Sequence, residues 1–593
     1  QNFAGYSVTG GTWTLNGSTT AVTPWQVTGG ALRIASDASL GDSAGTLTLD
    51  GGALQTTADT SATRAIALGA AGGTLATDAG TTFTANGAIG GAGALNKTGD
   101  GTLALTADNT YGGGTTISAG TLQIGNGGTS GSITGDVANN ATLAFNRSDA
   151  STFAGTISGS GTVEQRGSGT TTLTGNSSYT GGTTIAAGTL QLGDGGSSGS
   201  ITGDVANSGT LAFNRSDAST FAGTISGSGA VEQRGTGMTT LTGNNSYSGG
   251  TTIAAGTLQL GDGGSSGAIT GDVANSGTLA FKRSDSTTFA GTISGSGAVE
   301  QRGSGTTTLT GNSSYTGGTT IAAGTLQLGD GGSSGSITGD VANNGTLAFN
   351  RSDASTFAGT ISGNGTVQQR GTGTTTLTGN SSYSGGTSIA AGTLQLGDGG
   401  TSGAITGDVA NNGTLAFKRS DAVSFAGTIS GSGKVEQRGS GSTTLAAANS
   451  YTGGTAIEGG TLVGSAASFG SGAIVNNAAL VIDQGSAAAF ANAMSGSGSF
   501  TKTGAGALNL TGDGSAFSGA SRIAAGTMAV NGSLGGTLSV ASGATLKGNG
   551  TVGSTVVESG ALVAPGNSIG TLHVAGDLTL ASGAAYQVEA SPD

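Results

Sequence analysis

Residues 177–244 read SSYTGGTTIAAGTLQLGDGGSSGSITGDVANSGTLAFNRSDASTFAGTISGSGAVEQRGTGMTTLTGN, and this stretch decides the fold. It recurs with few changes along the middle of the chain, and one tyrosine in it returns every 68 residues. The tyrosines of this series are Tyr111, Tyr179, Tyr247, Tyr315, Tyr383 and Tyr451. Because the copies follow one another without insertion or deletion, we predict that each copy packs on the next.

Short runs within each copy alternate between apolar and polar residues, as in Thr189–Leu192 and Thr210–Phe213. Alternation with a period of two predicts half-buried β-strands, and the Gly, Asn, Asp and Ser clusters between the runs predict turns. No segment has helical periodicity. The sequence therefore predicts an all-β protein, since a repeat of such strands can bury its apolar side chains only against its neighbours.

The matching apolar positions Leu122, Leu143, Val163 and Leu190 divide a copy into three unequal coils. Coils of this length that stack by parallel pairing at about 4.8 Å predict a parallel β-helix, and the usual hand of parallel crossovers makes it right-handed. With about three coils in each 68-residue repeat, we expect an elongated solenoid. A β-propeller and an array of sandwich domains fit the repeat length and the lack of linkers less well.

The regular period divides the chain into three predicted parts. Residues 1–94 form divergent N-terminal coils and a cap, residues 95–465 contain the five near-identical repeats, and residues 466–593 form divergent C-terminal coils and a second cap. Trp13 and Trp25 both lie in the first part. They are expected to cover the end of the stack, or to form an aromatic binding patch.

Composition restricts the classes of function. The formal net charge of -13 disfavours nucleic acid as a partner, because binding to phosphates needs clustered Lys and Arg. With no cysteine and one histidine, a transition-metal site is not expected, and the sequence predicts no cofactor. No run of apolar residues is long enough for a membrane-spanning helix.

Three segments carry a family resemblance. LNKTGDGTLALTADNTYGGGTTISAGTLQIG at 95–125 resembles the passenger-associated transport repeat of bacterial autotransporters, and FTKTGAGALNLTGDGSAFSGASRIAAGTM at 500–528 looks like a weaker copy. The closing APGNSIGTLHVAGDLTL, from Ala564 to Leu580, is similar to the segment near the end of many passengers. In the inner copies the lysine of this pattern is expected to be replaced by arginine, at Arg166, Arg234, Arg302, Arg370 and Arg438.

The resemblance implies a β-helical passenger on the surface of a Gram-negative cell, anchored in the outer membrane through a C-terminal β-barrel or secreted after cleavage. No barrel pattern is present in this chain, so we expect it to be the passenger alone. Autotransporter passengers include adhesins and self-associating proteins as well as proteases and esterases. The repeat itself does not select among these activities.

Two pentapeptides fit the nucleophile pattern G-x-S-x-G, with Ser43 and Ser568, and the second lies near His573. A nucleophile elbow needs a strand, a sharp turn and a helix, and no helix is expected at either place. In a chain this rich in Gly and Ser such matches arise by chance. Turn aspartates such as Asp194 and Asp204 are expected to bind turn backbone rather than calcium. The sequence therefore predicts no catalytic residues and no metal site.

One set of charged residues recurs with the repeat. If an arginine and an aspartate at i and i+2 share a strand face, each pair can meet. The set either forms solvated ion pairs or provides a multivalent surface column, in which a weak contact is repeated five times. Its members are Arg147, Asp149, Arg215, Asp217, Arg283, Asp285, Arg351, Asp353, Arg419 and Asp421. Glu164 and Arg166 begin a second such set.

These observations favour a non-enzymatic adhesin or self-associating surface protein that acts in adhesion, aggregation, biofilm formation or virulence. The expected partner is a host-surface or matrix ligand, or another copy of the chain. The alternative is the β-helical stalk of an autotransporter protease or esterase whose catalytic head lies outside this chain. The sequence names neither the ligand nor the binding face.

Overall fold

The computed structural model describes residues 3–589 and confirms an all-β parallel β-solenoid of about 29 turns. Within that range there is no α-helix, and the two short 3-10 helices are Asp37–Leu40 and Ala466–Phe469. No helix of the described residues has the length and apolarity needed to cross a membrane. The chain forms two compact units: unit 1 extends to Asp285 and includes Phe289–Val299, and unit 2 comprises Ser286–Thr288 and Glu300 onward.

Unit 1 begins with strands that precede the repeats. Their bounds are Tyr6–Leu15, Trp25–Ile34, Leu47–Leu49, Ala53–Thr56, Thr60–Ala62, Ile66–Leu68, Gly73–Thr77, Thr82–Ala85 and Ile89–Gly91. The indole of Trp25 is buried and donates to the carbonyl of Leu40 at 3.0 Å, whereas Trp13 is 60% exposed. The two tryptophans therefore differ in role, and only Trp25 fills the interior.

Each copy of the repeat contains eight strands. In the second copy these are Thr162–Gln165, Thr170–Leu173, Thr183–Ile185, Thr189–Leu192, Val205–Asn207, Thr210–Phe213, Ser219–Phe221 and Ile225–Ser226. The other copies have strands at the equivalent positions, with some one residue longer or shorter. Every strand pair recorded within the two units is parallel and in register, apart from bulges near the two ends of the chain.

Unit 2 continues past the last full repeat into divergent coils. Their strands are Lys434–Gln437, Ser442–Leu445, Thr455–Ile457, Thr461–Gly464, Ile474–Asn476, Ala479–Asp483, Ala488–Phe490, Met494–Ser495, Ser499–Thr503, Ala507–Leu510, Asp513–Gly514, Ala520–Ile523, Thr527–Val530, Ser533–Val540, Thr545–Gly548, Thr551–Val557, Leu562–Pro565, His573–Val574, Leu578–Leu580 and Ala585–Tyr586. The parallel pairing is the same as in the repeats.

Side-chain alternation explains why these segments form strands. In Thr189–Leu192 the leucines point inward and are almost fully buried, while the threonine and glutamine are only partly covered. Within the repeats, aligned residues of neighbouring coils are between 19 and 22 positions apart. Leucines therefore stack on leucines along a thin core, and each outward side chain lies above the equivalent side chain of the preceding coil.

The predicted count of about three coils in each 68-residue repeat is confirmed, but the repeat is slightly longer than three coils and the predicted third coil, from Val163 to Leu190, is wrong. Three coils take the chain from Leu143 through Val163 and Thr183 to Val205, all in one sheet. The repeat equivalent of Leu143 is Leu211, which lies further along the chain in the next sheet. Leu190 likewise aligns with Thr171 in that sheet and not with Val163. Each copy is therefore rotated by one sheet around the solenoid relative to the previous copy.

The tyrosine that marks the period lies in a strand-free segment of each copy and is completely buried. The Tyr179 hydroxyl lies 2.7 Å from the Thr183 hydroxyl, and the same contact recurs in all six copies. Burial raises the pKa of these phenols, to about 12 for Tyr451. The ring fills the core where no strand passes, and the neighbouring hydroxyl satisfies its polar end.

Candidate functional site

The arginine and aspartate of each recurring pair do meet. Arg215 donates from Nε to Asp217 Oδ1 at 2.9 Å and from Nη2 to Asp217 Oδ2 at 2.8 Å. The pair lies in the turn between the strands Thr210–Phe213 and Ser219–Phe221, not within a strand as the spacing suggests. All five copies have this bidentate geometry. The predicted pairing is thus present, although a turn and not a shared strand face brings it about.

The arginine also fixes an exposed loop. Arg215 Nη2 donates to the carbonyl of Ser197 at 2.6 Å, and Nη1 lies 3.3 Å from the carbonyl of Gly199. Residues 194–198 of this loop are largely exposed, and Gly195 has a φ of 100° with open space around its Cα. The Asp194 carboxylate accepts from the Gly196 amide, which confirms the expected bond to turn backbone. We call residues 193–199, together with Arg215 and Asp217 that hold them, and their repeat equivalents the clasped loop.

The arginine and the aspartate of each clasped loop differ in their exposure to solvent. The arginine side chains are only 9–13% exposed, whereas the aspartates are 33–40% exposed. Hydrogen bonds from Arg215 keep the pKa of Asp217 below its usual value, and partial desolvation opposes this effect. The carboxylate therefore stays ionised at any pH near neutral. The surface that each clasp offers to a partner consists of a carboxylate edge and a glycine- and serine-rich loop.

The clasps do not form a straight column in unit 1, which corrects the arrangement expected from the sequence. Arg147, Arg215 and Arg283 each follow a strand of a different sheet. The reason is the extra length of the repeat, which turns each copy by one sheet. Identical clasped loops therefore follow a spiral and point in different directions around unit 1. Arg351, Asp353, Arg419 and Asp421 form the clasps of unit 2.

The side chains of the second charged set pass over a small residue on the coil between them. Arg166 Nε donates to Glu164 at 2.6 Å, and Arg166 Nη1 reaches Gln123 Oε1 at 3.3 Å, two coils away. Ala144 lies on the coil between them, points outward and is nevertheless completely buried. This arrangement explains the alanine, because a larger side chain would occupy the space through which the guanidinium passes. These charges are therefore committed to contacts within the chain.

The lysine of the family pattern is replaced by glutamine and not by arginine, so that prediction from the sequence is wrong. Lys97 aligns with Ile117 of the next coil, and Gln165, not Arg166, aligns with the equivalent Ile185. The glutamines of this row are Gln165, Gln233, Gln301, Gln369 and Gln437, and all are buried. The distance to the following glycine is the sequence signal that identifies them, since Gly99 and Gly167 each come two residues later.

The candidate nucleophiles lie in exposed turns. Ser43 follows the 3-10 helix Asp37–Leu40, and Ser568 lies between the strands Leu562–Pro565 and His573–Val574. Within residues 3–589 no hydrogen bond joins Ser568 to His573, and no α-helix follows either serine. Neither position has the strand-turn-helix geometry of a nucleophile elbow.

Comparison with known proteins agrees with the repeat geometry. A family model described as the passenger-associated transport repeat matches residues 95–124, 163–192, 231–260, 299–328, 367–396, 435–463 and 500–530. The match at 95–124 begins at the first residue of the strand that carries the buried lysine, and each of the other six begins one residue into the strand that carries the buried glutamine or lysine.

A 186-residue segment, 31% of the chain, is 45% identical to the adhesin BmaC autotransporter of Brucella suis biovar 1 (strain 1330). The segment spans only 5% of that protein's length. No solved structure matches the chain at a significant level. Seven matched repeats on a parallel β-solenoid thus identify the chain as an autotransporter passenger domain that carries passenger-associated transport repeats.

Proposed function

We propose that this passenger is a non-enzymatic adhesin or self-associating surface protein, and that the clasped loops are its repeated contact elements. One observation carries the proposal: five closely similar exposed loops, each fixed by a largely buried arginine, are presented on a regular scaffold of stacked strands. Rigid presentation lowers the entropy lost on binding, and repetition turns a weak contact into a strong one.

The similar protein from Brucella suis bears the name adhesin, which supports the same reading for this chain. Its partner would be a host-surface or matrix ligand or a second copy of the chain. A passenger acts outside the cell, either attached to the surface or after release. The spiral arrangement means that unit 1 offers its loops in several directions, which suits a protein surrounded by partners better than one with a single binding face.

The test measures adhesion of beads coated with the whole chain to epithelial cells, to extracellular matrix and to each other. Asp149→Asn, Asp217→Asn and Asp285→Asn together should reduce adhesion more than any one of them alone. The control changes three exposed carboxylates that cap backbone amides elsewhere in the same copies, Asp136→Asn, Asp204→Asn and Asp272→Asn. Adhesion that is absent in the parent chain would refute the function, and equal adhesion by both triple variants would refute the role of the clasps.

A further inference from the structure

A groove outside the repeats has features that the clasped loops lack. It lies in unit 2 on the outward side of the strands Ala507–Leu510, Thr527–Val530 and Thr545–Gly548, with a volume of about 430 Å³. A second depression of about 260 Å³ continues from it and shares Lys547 and Asn567 with it. The combined volume lies in the range of small-molecule binding sites in proteins.

The floor of the groove alternates between small and hydrogen-bonding residues. Ala489, Asn509, Ala529, Lys547 and Ala564 occupy one outward row on five successive coils. Successive coils are about 4.8 Å apart, so the amide and the ammonium are roughly 10 Å apart along the row. The alanines between them let a flat ligand approach the sheet closely.

One side of the groove is formed by a ladder of asparagines, whose amide groups donate to and accept from one another and leave some of their polar atoms free. Asn531 Nδ2 donates to Asn509 Oδ1 at 2.6 Å, and Asn531 Oδ1 accepts from Asn567 Nδ2 at 2.8 Å. These bonds hold the amides in fixed orientations. Among residues 3–589, Asn509 Nδ2 and Asn567 Oδ1 have no protein partner, so the ladder presents one donor and one acceptor to the groove.

Lys547 supplies the charge. Its side chain is half-buried, and no carboxylate of the described residues lies within ion-pair distance of its ammonium. The larger part of the groove, toward Ala489 and Asn531, is lined by no carboxylate, whereas Glu589 lines the smaller depression. A negatively charged group is therefore favoured beside Lys547 on the larger side only.

From these contacts we infer that the groove binds a carboxylated saccharide. The acid group of one uronate pairs with Lys547, a hydroxyl of a neighbouring sugar accepts from Asn509 Nδ2, and another sugar hydroxyl donates to Asn567 Oδ1. An extended polymer can lie along the alanine floor. An acidic peptide fits less well, because the groove has neither a free strand edge nor an apolar pocket for side chains.

The site is separate from the clasped loops, so its failure and the failure of the proposed adhesive function can be told apart. Calorimetric titration of the whole chain uses a hexasaccharide of alternating glucuronate and N-acetylglucosamine. A neutral N-acetylglucosamine hexasaccharide and a hexaglutamate peptide serve as comparison ligands. The acidic saccharide should bind, more weakly as salt increases, and at least tenfold more tightly than either comparison ligand.

Lys547→Gln should weaken this binding at least tenfold, whereas Lys418→Gln, which removes an ammonium outside the groove, should leave it unchanged. Ala489→Trp adds a ring at an exposed position of the floor and should block binding without touching the core. Circular dichroism melting of each variant shows whether it is folded. No binding by the parent chain, equal binding of the peptide, or unchanged binding in both Lys547→Gln and Ala489→Trp would overturn the inference.

Discussion

The first copy of the repeat and its inner copies satisfy the carbonyls of the same turn with different side chains, a lysine in the first copy and a glutamine in the inner copies. In the first copy the ammonium of Lys97 is buried and donates to the carbonyls of Thr98, Gly99 and Ala119 at 2.8, 2.6 and 3.1 Å. In the second copy the Gln165 amide donates to the carbonyls of Gly167 and Gly169 at 2.9 and 3.3 Å. In both copies a long polar side chain reaches from a strand into the turn that follows it and satisfies buried carbonyls there.

The difference lies in what each residue leaves unsatisfied. The ammonium carries a charge into the interior but has only donors, so every contact with a carbonyl is favourable. The glutamine is neutral, yet its Oε1 is buried without a partner, and this recurs at Gln233, Gln301, Gln369 and Gln437. The turn therefore needs a hydrogen-bond donor. It accommodates either the desolvation cost of a buried charge or one glutamine Oε1 without a partner. Near the other end of the chain, the ammonium of Lys502 makes equivalent bonds to the carbonyls of Gly504 and Ala525.

The largest effect is expected from removing the donor where it makes the most bonds. Lys97→Met keeps the length of the side chain but leaves three buried carbonyls without their donor, at roughly 1–3 kcal/mol each, while it relieves the desolvation of one charge, so the free energy of unfolding should fall by about 3 kcal/mol. Hydrogen exchange of the amides in residues 95–124 measures this loss locally. Thr98→Val changes the outward neighbour and serves as the control. Unchanged exchange in Lys97→Met would show that the ammonium is not needed at this turn.

A smaller loss is expected in the inner copies. Gln233→Leu removes the donor to the carbonyls of Gly235 and Gly237, but it also removes the buried orphan Oε1. The two effects partly offset each other, so unfolding should become easier by only about 1 kcal/mol. The same exchange measurement on residues 231–260 checks this value. A loss as large as that of Lys97→Met would contradict the role assigned to the orphan oxygen.

Replacing the glutamine of an inner copy by the lysine of the first copy should change the free energy of unfolding least among these substitutions. In Gln233→Lys the ammonium can reach the carbonyl of Gly235 and that of Ala255, the equivalents of Gly99 and Ala119. The gain of donors and the desolvation of the charge oppose each other, so we expect a change within about 1 kcal/mol. Urea unfolding followed by circular dichroism tests this expectation. Loss of the native spectrum would mean that the inner turns are built for an amide alone.

A difference in pH dependence should also separate the two kinds of copy. Burial lowers the pKa of Lys97 to about 8 from 10.5, and the nearby Asp100 opposes this shift. Between these two values the unfolded chain binds more protons than the folded chain, so stability should rise with pH over this range. Lys97→Gln should lose this rise when urea midpoints are compared from pH 7.5 to 10. A parallel rise in the variant would assign it to other groups.

Much of the fold could be predicted from the sequence. The return of Tyr179 every 68 residues and the alternation in Thr189–Leu192 are sufficient to predict stacked parallel strands with a thin leucine core. The hand of the coil and the division at residues 94 and 465 stay predictions. The pairing of Arg215 with Asp217 was also predictable, because two residues at this spacing and of opposite charge readily meet.

Three details differ from the predictions or were missed, each for its own reason. Lys97 was matched to Arg166 because both are charged, although the distance to the following glycine identifies Gln165 as the equivalent residue. The different directions of the arginine and aspartate pairs in unit 1 were not predicted, because the number of residues in each turn cannot be read from the apolar pattern. The groove around Lys547 was missed altogether, since its residues are far apart in the sequence and come together only when five coils are stacked.

The period, the strands and the residues that fill the core can be read from the sequence alone, since they follow from local alternation and exact repetition. The face of the solenoid that each copy occupies becomes clear only when the coils are stacked in three dimensions. Coil length depends on how turns such as 193–204 fold over the corners, and three such coils are shorter than one repeat. That difference rotates each copy by one sheet, and so it distributes identical clasped loops around unit 1 instead of aligning them.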